Sequence, residues 1–257
     1  MADTVQLSVD DDGVATITVN RPDSLNALNV PTLHALQDAV EEAEAEDARV
    51  LVLTGAGDDA FIAGADISYM QDMDPQEAHE YAELGHDLTA TIESFPAPVV
   101  AAINGYAFGG GMEIALACDL RVASEQAVLG QTEIDLGIIP GWGGTQRLPR
   151  LVGDETARRL IYFGDRLDAT DAYEEGLVGD VVAHDELDDH VADLAGDLAA
   201  QPATALSAAK EALNQSAQTS LDAGLDFERR TWAGLFGSHD QREGMQAFLD
   251  SREPDFE

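Results

Sequence analysis

Apolar and polar positions alternate from Val5 to Val9 and again from Val14 to Val19, on either side of the Asp10–Gly13 turn, a pattern that predicts a β-hairpin. Apolar positions then recur at helical spacing through Leu33, Leu36, Ala39, Val40 and Ala43, predicting a helix over Pro31–Glu46. The short continuous run Val50–Leu53 reads as a strand covered on both faces, and Pro98–Ile103, closed by Asn104-Gly105, reads as another. Between them lie a turn of small residues, Phe61–Asp66, and a long helical region reaching about Glu93. Strands alternating with helices predict an α/β fold with a parallel sheet. From Asp154 onward the chain reads as mostly helical, with apolar stripes over Leu187–Leu198, Ala203–Leu213 and Leu221–Leu235 and a short strand at Asp180–Ala183. The acidic run Glu41–Asp47 reads as a solvated helix face.

Composition changes the picture in one respect. Thirteen basic residues against 50 acidic ones leave a formal charge of −37, with Lys210 as the only lysine. Such a surface repels nucleic acid and anionic membrane, so neither is an expected partner. Its self-repulsion fades at molar ionic strength, where the Debye length shrinks to about 3 Å, so a halophilic protein from a salt-accumulating cytoplasm is expected. The N-terminal residues carry no signal-peptide pattern and no apolar run is long enough to span a bilayer, which predicts a soluble, cytoplasmic protein. Cys118 stands alone in an apolar run and reads as an inert buried thiol.

Two acids stand out because each interrupts an apolar stretch beside a glycine-rich turn: Glu113, after Gly109-Gly110-Gly111, and Glu133, before the Pro140–Gly144 segment. A carboxyl that loses hydration holds its proton toward neutral pH, which suits it to acid–base work. Gly109–Gly111 is placed to open a helix and Phe61–Asp66 is a second turn of small residues; both can offer free backbone N–H groups to a developing oxyanion. Structural alternatives exist for each acid. Glu113 could pair with Arg121 or Arg147, and Glu133 could cap the segment that follows it. Asp66 and Asp119 read as caps. The six histidines show no metal-ligand spacing, and neither a nucleophilic-serine elbow nor a Walker-type loop is present.

The segments Asn20–Leu28, Phe61–Ile67, Ala102–Glu113, Gly130–Glu133, Ile139–Leu148 and Arg242–Phe248 together resemble the crotonase (enoyl-CoA hydratase/isomerase) superfamily, and within it the enoyl-CoA hydratases. The resemblance implies a core of repeated ββα units over residues 1–197 and a C-terminal helical region, 198–257, that builds a homotrimer or a dimer of trimers. It implies hydration of trans-2-enoyl-CoA, in fatty-acid β-oxidation or a related acyl-CoA route, with Glu113 as base and Glu133 as acid. The Ala65 and Gly110 N–H groups would hold the thioester oxygen, and Gly141 would help position the site. Coenzyme A would enter as part of the substrate, with no metal and no separate cofactor. Ser24, Leu25 and Ala27 would follow the pantetheine, Ala63, Ala65 and Ile67 the adenine, and Phe236 a neighbouring subunit's ligand. Asp23 and Ser68 stand where lysine-bearing members contact phosphates; Arg21 or Arg252 could substitute. Trp142, with Met70 and Ile138, could crowd the acyl pocket and favour short chains. The alternatives are a Δ3-Δ2-enoyl-CoA isomerase or a non-catalytic acyl-CoA- or RNA-binding relative.

Overall fold

The computed structural model describes residues 4–257. Strands β1 (Val5–Val9) and β2 (Val14–Val19) form the hairpin, with Val5 opposite Val19 and Val9 opposite Ala15. Its turn is held by Asp10, whose carboxylate accepts from the Asp12 and Val14 amides at 3.0 and 2.8 Å. Helix α1 (Val30–Ala45) follows, its N-terminus capped by Asn29 accepting from the Thr32 amide at 3.1 Å.

From β3 (Val50–Gly55) the chain repeats one manoeuvre. A long strand in a main sheet is followed by a short strand in a second sheet, and a helix returns the chain to the main sheet. In this way β3, β4 (Ala60–Ile62), α2 (Ile67–Met70) and α3 (Pro75–Ser94) lead to β5 (Val99–Ile103), β6 (Tyr106–Phe108) and α4 (Gly110–Ala117), and then to β7 (Leu120–Ser124) and β8 (Val128–Gly130). The main sheet is completed by β10 (Asp180–Val182), which pairs in parallel with β7. The order is β1-β2-β3-β5-β7-β10, and every pair beyond the hairpin is parallel. The smaller sheet runs β4-β6-β8-β9, with β9 (Arg166–Asp168) as an antiparallel edge. These are the repeated ββα units that the resemblance implied.

Both faces of the main sheet are covered at β3 and β5, which explains their continuous apolar runs. Leu51, Leu53, Val99, Ala101 and Ile103 join the core that contains residues of α1, α3 and α4. Val50, Val52, Val100, Ala102 and Val122 form a second core with Leu187, Val191, Ala195 and Ala199 of α8 (Leu187–Ala199). Successive corners are stitched by amides. Asn26 Nδ2 donates to Ala56 O and Ala60 O at 3.0 and 2.7 Å, and Asn104 Nδ2 donates to Gly55 O and Gly57 O at 2.9 and 2.7 Å.

The expected long helix after Asp66 is two helices, because the chain breaks before Asp74. That aspartate forms a capping box with Glu77, and Pro75 occupies the first turn of α3. Beyond α8 come α9 (Ala203–Ser216), α10 (Leu221–Gly234) and α11 (His239–Asp250). Lys210 anchors α9 to the core: its Nζ lies 2.7 Å from Asp119 Oδ2 and donates to Ala97 O at 3.0 Å. Asp119 also accepts from the Val99 amide at 2.7 Å, so it links two core segments to α9 and does not act as a helix cap. Cys118 is buried, and burial pushes its thiol up to about 12. No helix among the described residues is long and apolar enough to cross a membrane.

Candidate active site

A cavity of about 240 Å³ opens where α4 meets the segments after β4 and β8. Glu113 and Glu133 both line it, together with Ala65, Gly110, Gly141, Trp142, Ala63, Ile67 and Met70. The polar groups converge from separate turns of the coil, and no sequence-local arrangement would bring them together.

Glu113 sits in the first turn of α4 and is 2% exposed. Its Oε1 accepts from the Trp142 and Gly144 amides, each at 2.7 Å. Burial pushes this carboxyl up, while those two amides, the Gly141 amide and the nearby Arg147 guanidinium pull it down. Neither arginine forms the ion pair considered as its alternative role. Arg121 donates to the carbonyls of Leu177, Ala115, Cys118 and Asp119, and Arg147 pairs with Glu93 at 2.8 Å while donating to Trp142 O at 3.0 Å.

Glu133 begins a 3-10 turn over Glu133–Leu136 and is 8% exposed. Thr132, not Glu133, occupies the cap position of that turn. Desolvation, reinforced by the charge of Glu113, raises its carboxyl to about 7. Gln131 is wholly buried beside it. With its amide turned to satisfy its neighbours, its nitrogen donates to Glu133 Oε1 and Oε2 at 3.0 and 3.1 Å. Amide donors therefore serve both acids: Glu113 receives main-chain N–H groups from Trp142 and Gly144, and Glu133 its own main-chain N–H and the Gln131 side chain.

Ala65 and Gly110 line the same cavity. Leu28 and Ala65 form an isolated parallel bridge in which the Leu28 amide donates to Gly64 O and the Asp66 amide to Leu28 O. The Ala65 N–H lies on the opposite edge of this bridge and takes no part in it. Gly110 is the first residue of α4, where a helix leaves its N–H groups without intrahelical partners. Gly109 precedes it at φ +48° and ψ −121°, a conformation open to glycine, and this turn aims the start of α4 at the cavity.

Other predicted contacts lie further out. Ser24 and Leu25 are exposed and Ala27 half-buried on the loop that pairs with residues 63–66, the Ala63 amide donating to Leu25 O at 3.0 Å. Ile138 lines the cavity mouth with Leu136 and Ile139. Phe236 is outside this cavity, half-exposed after α10 and in edge contact with Trp232 at 4.5 Å. Asp23 and Ser68 are exposed, and the Ser68 hydroxyl donates to Asp66 at 2.6 Å. The suggested substitute cations are engaged elsewhere: Arg21 pairs with Asp66 at 3.2 Å and donates to Ala27 O, while Arg252 is held by Glu243 at 2.8 Å. Asp66 stands at the N-cap position of α2, as expected, but its side chain pairs with Arg21 and makes no cap bond. Among the described residues no group of three or more His, Cys, Asp or Glu is placed to hold a metal ion.

Sequence reasoning passed over Gln131, Gly144 and Tyr81. A polar residue between apolar β8 and Glu133 was the available signal for Gln131. Gly144 and Tyr81 reach the site only through tertiary packing.

A family model described as enoyl-CoA hydratase/isomerase matches residues 10–257. Crotonyl-CoA hydratase of Syntrophomonas wolfei is 43% identical over 244 residues, covering 95% of this chain and 94% of that protein. The short-chain-enoyl-CoA hydratase of Clostridium acetobutylicum is 42% identical over 241 residues, covering 93% and 92%. The crystal structure of enoyl-CoA hydratase from Bacillus anthracis superposes with a TM-score of 0.95 at 40% identity, covering 99% of each chain.

Proposed function

We propose that this chain, which belongs to the enoyl-CoA hydratase/isomerase family, adds water across the double bond of a trans-2-enoyl-CoA to give the 3-hydroxyacyl-CoA. The observation that carries the reading is the pair Glu113 and Glu133 lining one cavity, with the two held differently. Burial raises both carboxyls, but main-chain amides offset part of the rise at Glu113, whereas Glu133, raised to about 7, keeps a proton to give. A water between them loses a proton to Glu113 as its oxygen bonds to Cβ. Glu133 delivers its proton to Cα, and the thioester oxygen carries the transient negative charge. The Ala65 and Gly110 N–H groups receive that oxygen; one such donor is worth roughly 2.7–4 kcal/mol in the transition state. The balance is one water consumed, and the proton taken by Glu113 must return to Glu133 before the next cycle. Nothing in these steps calls for a metal or a separate cofactor; coenzyme A arrives with the substrate.

Both carboxyls are proposed to act on one face of the planar enoyl group, so hydrogen and hydroxyl add syn. Hydration of crotonyl-CoA in D₂O, with the product's C2 configuration read by NMR, should give one diastereomer with deuterium and hydroxyl on the same side. A mixture, or anti addition, would refute the arrangement.

The same reading extends to assembly and setting. Helices α9–α11 leave Leu213, Leu221, Phe248 and Leu249 between 70% and 84% exposed, which supports a trimer built through this region, or a dimer of trimers, with Phe236 directed toward a neighbour's ligand. A monomeric mass in molar KCl would contradict it. The acidic surface supports a soluble, cytoplasmic, salt-adapted enzyme.

A further inference from the structure

Trp142 is 4% exposed, and its indole lies in the gap between α3 and α4. A Cβ on Gly85 of α3 would stand 2.2 Å from three atoms of the ring, and one on Gly110 of α4 would stand 2.3 Å from another. The ring therefore rests on bare Cα atoms on both sides, and no larger residue fits at either position without displacing it. Tyr81 closes a third side by edge contact at 5.4 Å, its hydroxyl donating to Leu28 O at 2.8 Å. The main chain of Trp142 is pinned as well. Its N–H donates to Glu113, and its carbonyl accepts from Arg147 Nη1 at 3.0 Å and Thr89 Oγ1 at 3.3 Å. Packed against Gly85, Gly110 and Tyr81, the indole forms a wall beside the turn whose amide holds Glu113.

This wall borders the cavity that holds both acids, which Met70, Ala78 and Ala82 also line. We infer that Trp142 sets the acyl length the site accepts, its indole filling the α3–α4 gap into which the tail of a longer chain would otherwise extend. The inference rests on the hydratase reading and names its substrate class: short enoyl groups of about crotonyl size. A pocket that refuses methylenes discriminates by roughly tenfold or more for each one refused.

The test compares kcat/KM for crotonyl-CoA, trans-2-hexenoyl-CoA and trans-2-decenoyl-CoA in molar KCl, using the wild type, Trp142→Leu and Trp142→Ala. The wild type should prefer crotonyl-CoA over decenoyl-CoA by about 10²-fold or more, and each variant should move the decenoyl-to-crotonyl ratio by about tenfold or more toward decenoyl. Decenoyl turnover as fast as crotonyl turnover by the wild type would overturn the inference, because the tail would then leave over the exposed rim at Ile139. So would an unmoved ratio in a variant that still hydrates crotonyl-CoA. If neither variant folds, the wild-type profile and the inhibition constants of butyryl-CoA and decanoyl-CoA decide alone, equal constants counting against the wall. A wild type that hydrates no enoyl-CoA sinks the hydratase reading itself, and crotonyl hydration with an unmoved ratio sinks only the role of Trp142.

Discussion

Replacing Glu133 by glutamine should make the protein more stable and far less active, with the stability gain confined to higher pH. In the folded chain burial and the charge of Glu113 raise this carboxyl from 4.5 to about 7. The gap corresponds to about 3 kcal/mol, at roughly 1.4 kcal/mol per tenfold in proton affinity. The sign follows from linkage. Between the two values the folded state binds more protons than the unfolded state, so the stability contributed by protonated Glu133 is complete below about pH 4.5 and lost as pH rises through about 7. Glutamine carries no charge at any pH and escapes this loss. Urea denaturation in molar KCl should therefore show Glu133→Gln close to wild type at pH 4.5 and more stable at pH 8, by about 1–3 kcal/mol once relaxation around the site is allowed for. Identical stability of the two proteins at both pH values would show that Glu133 is not a strained, desolvated acid, and the case for it as proton donor would fail.

Gln131→Met removes the amide that favours ionised Glu133, so the alkaline limb of the kcat/KM profile, which falls as the acid deprotonates near pH 7, should move upward; an unmoved limb would refute the contact. Lys210→Met leaves Asp119 part-buried without its cation and frees α9 from Ala97, so the urea midpoint should fall by an amount equivalent to about 1–3 kcal/mol, and an unchanged midpoint would contradict the anchor. Thermal midpoints should rise between low and molar KCl because the repulsion behind a net charge of −37 is then screened, and equal midpoints would refute salt adaptation. Gly85→Ala should lower stability by about 1–3 kcal/mol by forcing the indole of Trp142 aside, a shift readable by tryptophan fluorescence.

The sheet was legible wherever a strand is long enough to show a pattern. The β1–β2 alternation and the continuous runs of β3 and β5 report one covered face and two covered faces, respectively. The strands of the second sheet span three residues each, too few to carry a period, and only the coil of the fold reveals them as a layer. The same division holds at the site. Glu113 and Glu133 are conspicuous in sequence because acids in apolar runs are costly without a purpose. What differentiates them is not local: the amides on Glu113 come from Trp142 and Gly144, across the α4–α5 junction, where α5 spans Gly144–Val152. The choice between structural and chemical roles for Gly109–Gly111 also needed coordinates. Gly109 supplies the turn, Gly110 leaves room for Trp142, and Gly111 packs against Ile62 so closely that a Cβ would overlap its carbonyl. Arg21 and Arg252, suggested as substitutes for the missing lysines, are paired with Asp66 and Glu243.

The central claim is that two buried carboxyls act on one water beneath a thioester held by main-chain amides. It is tested most directly by following the enoyl-thioester absorbance of crotonyl-CoA in molar KCl with the wild type, Glu113→Gln and Glu133→Gln. The account predicts rapid loss of the band with the wild type and rates lower by about 10²-fold or more with each variant. Wild-type turnover by either variant would contradict it.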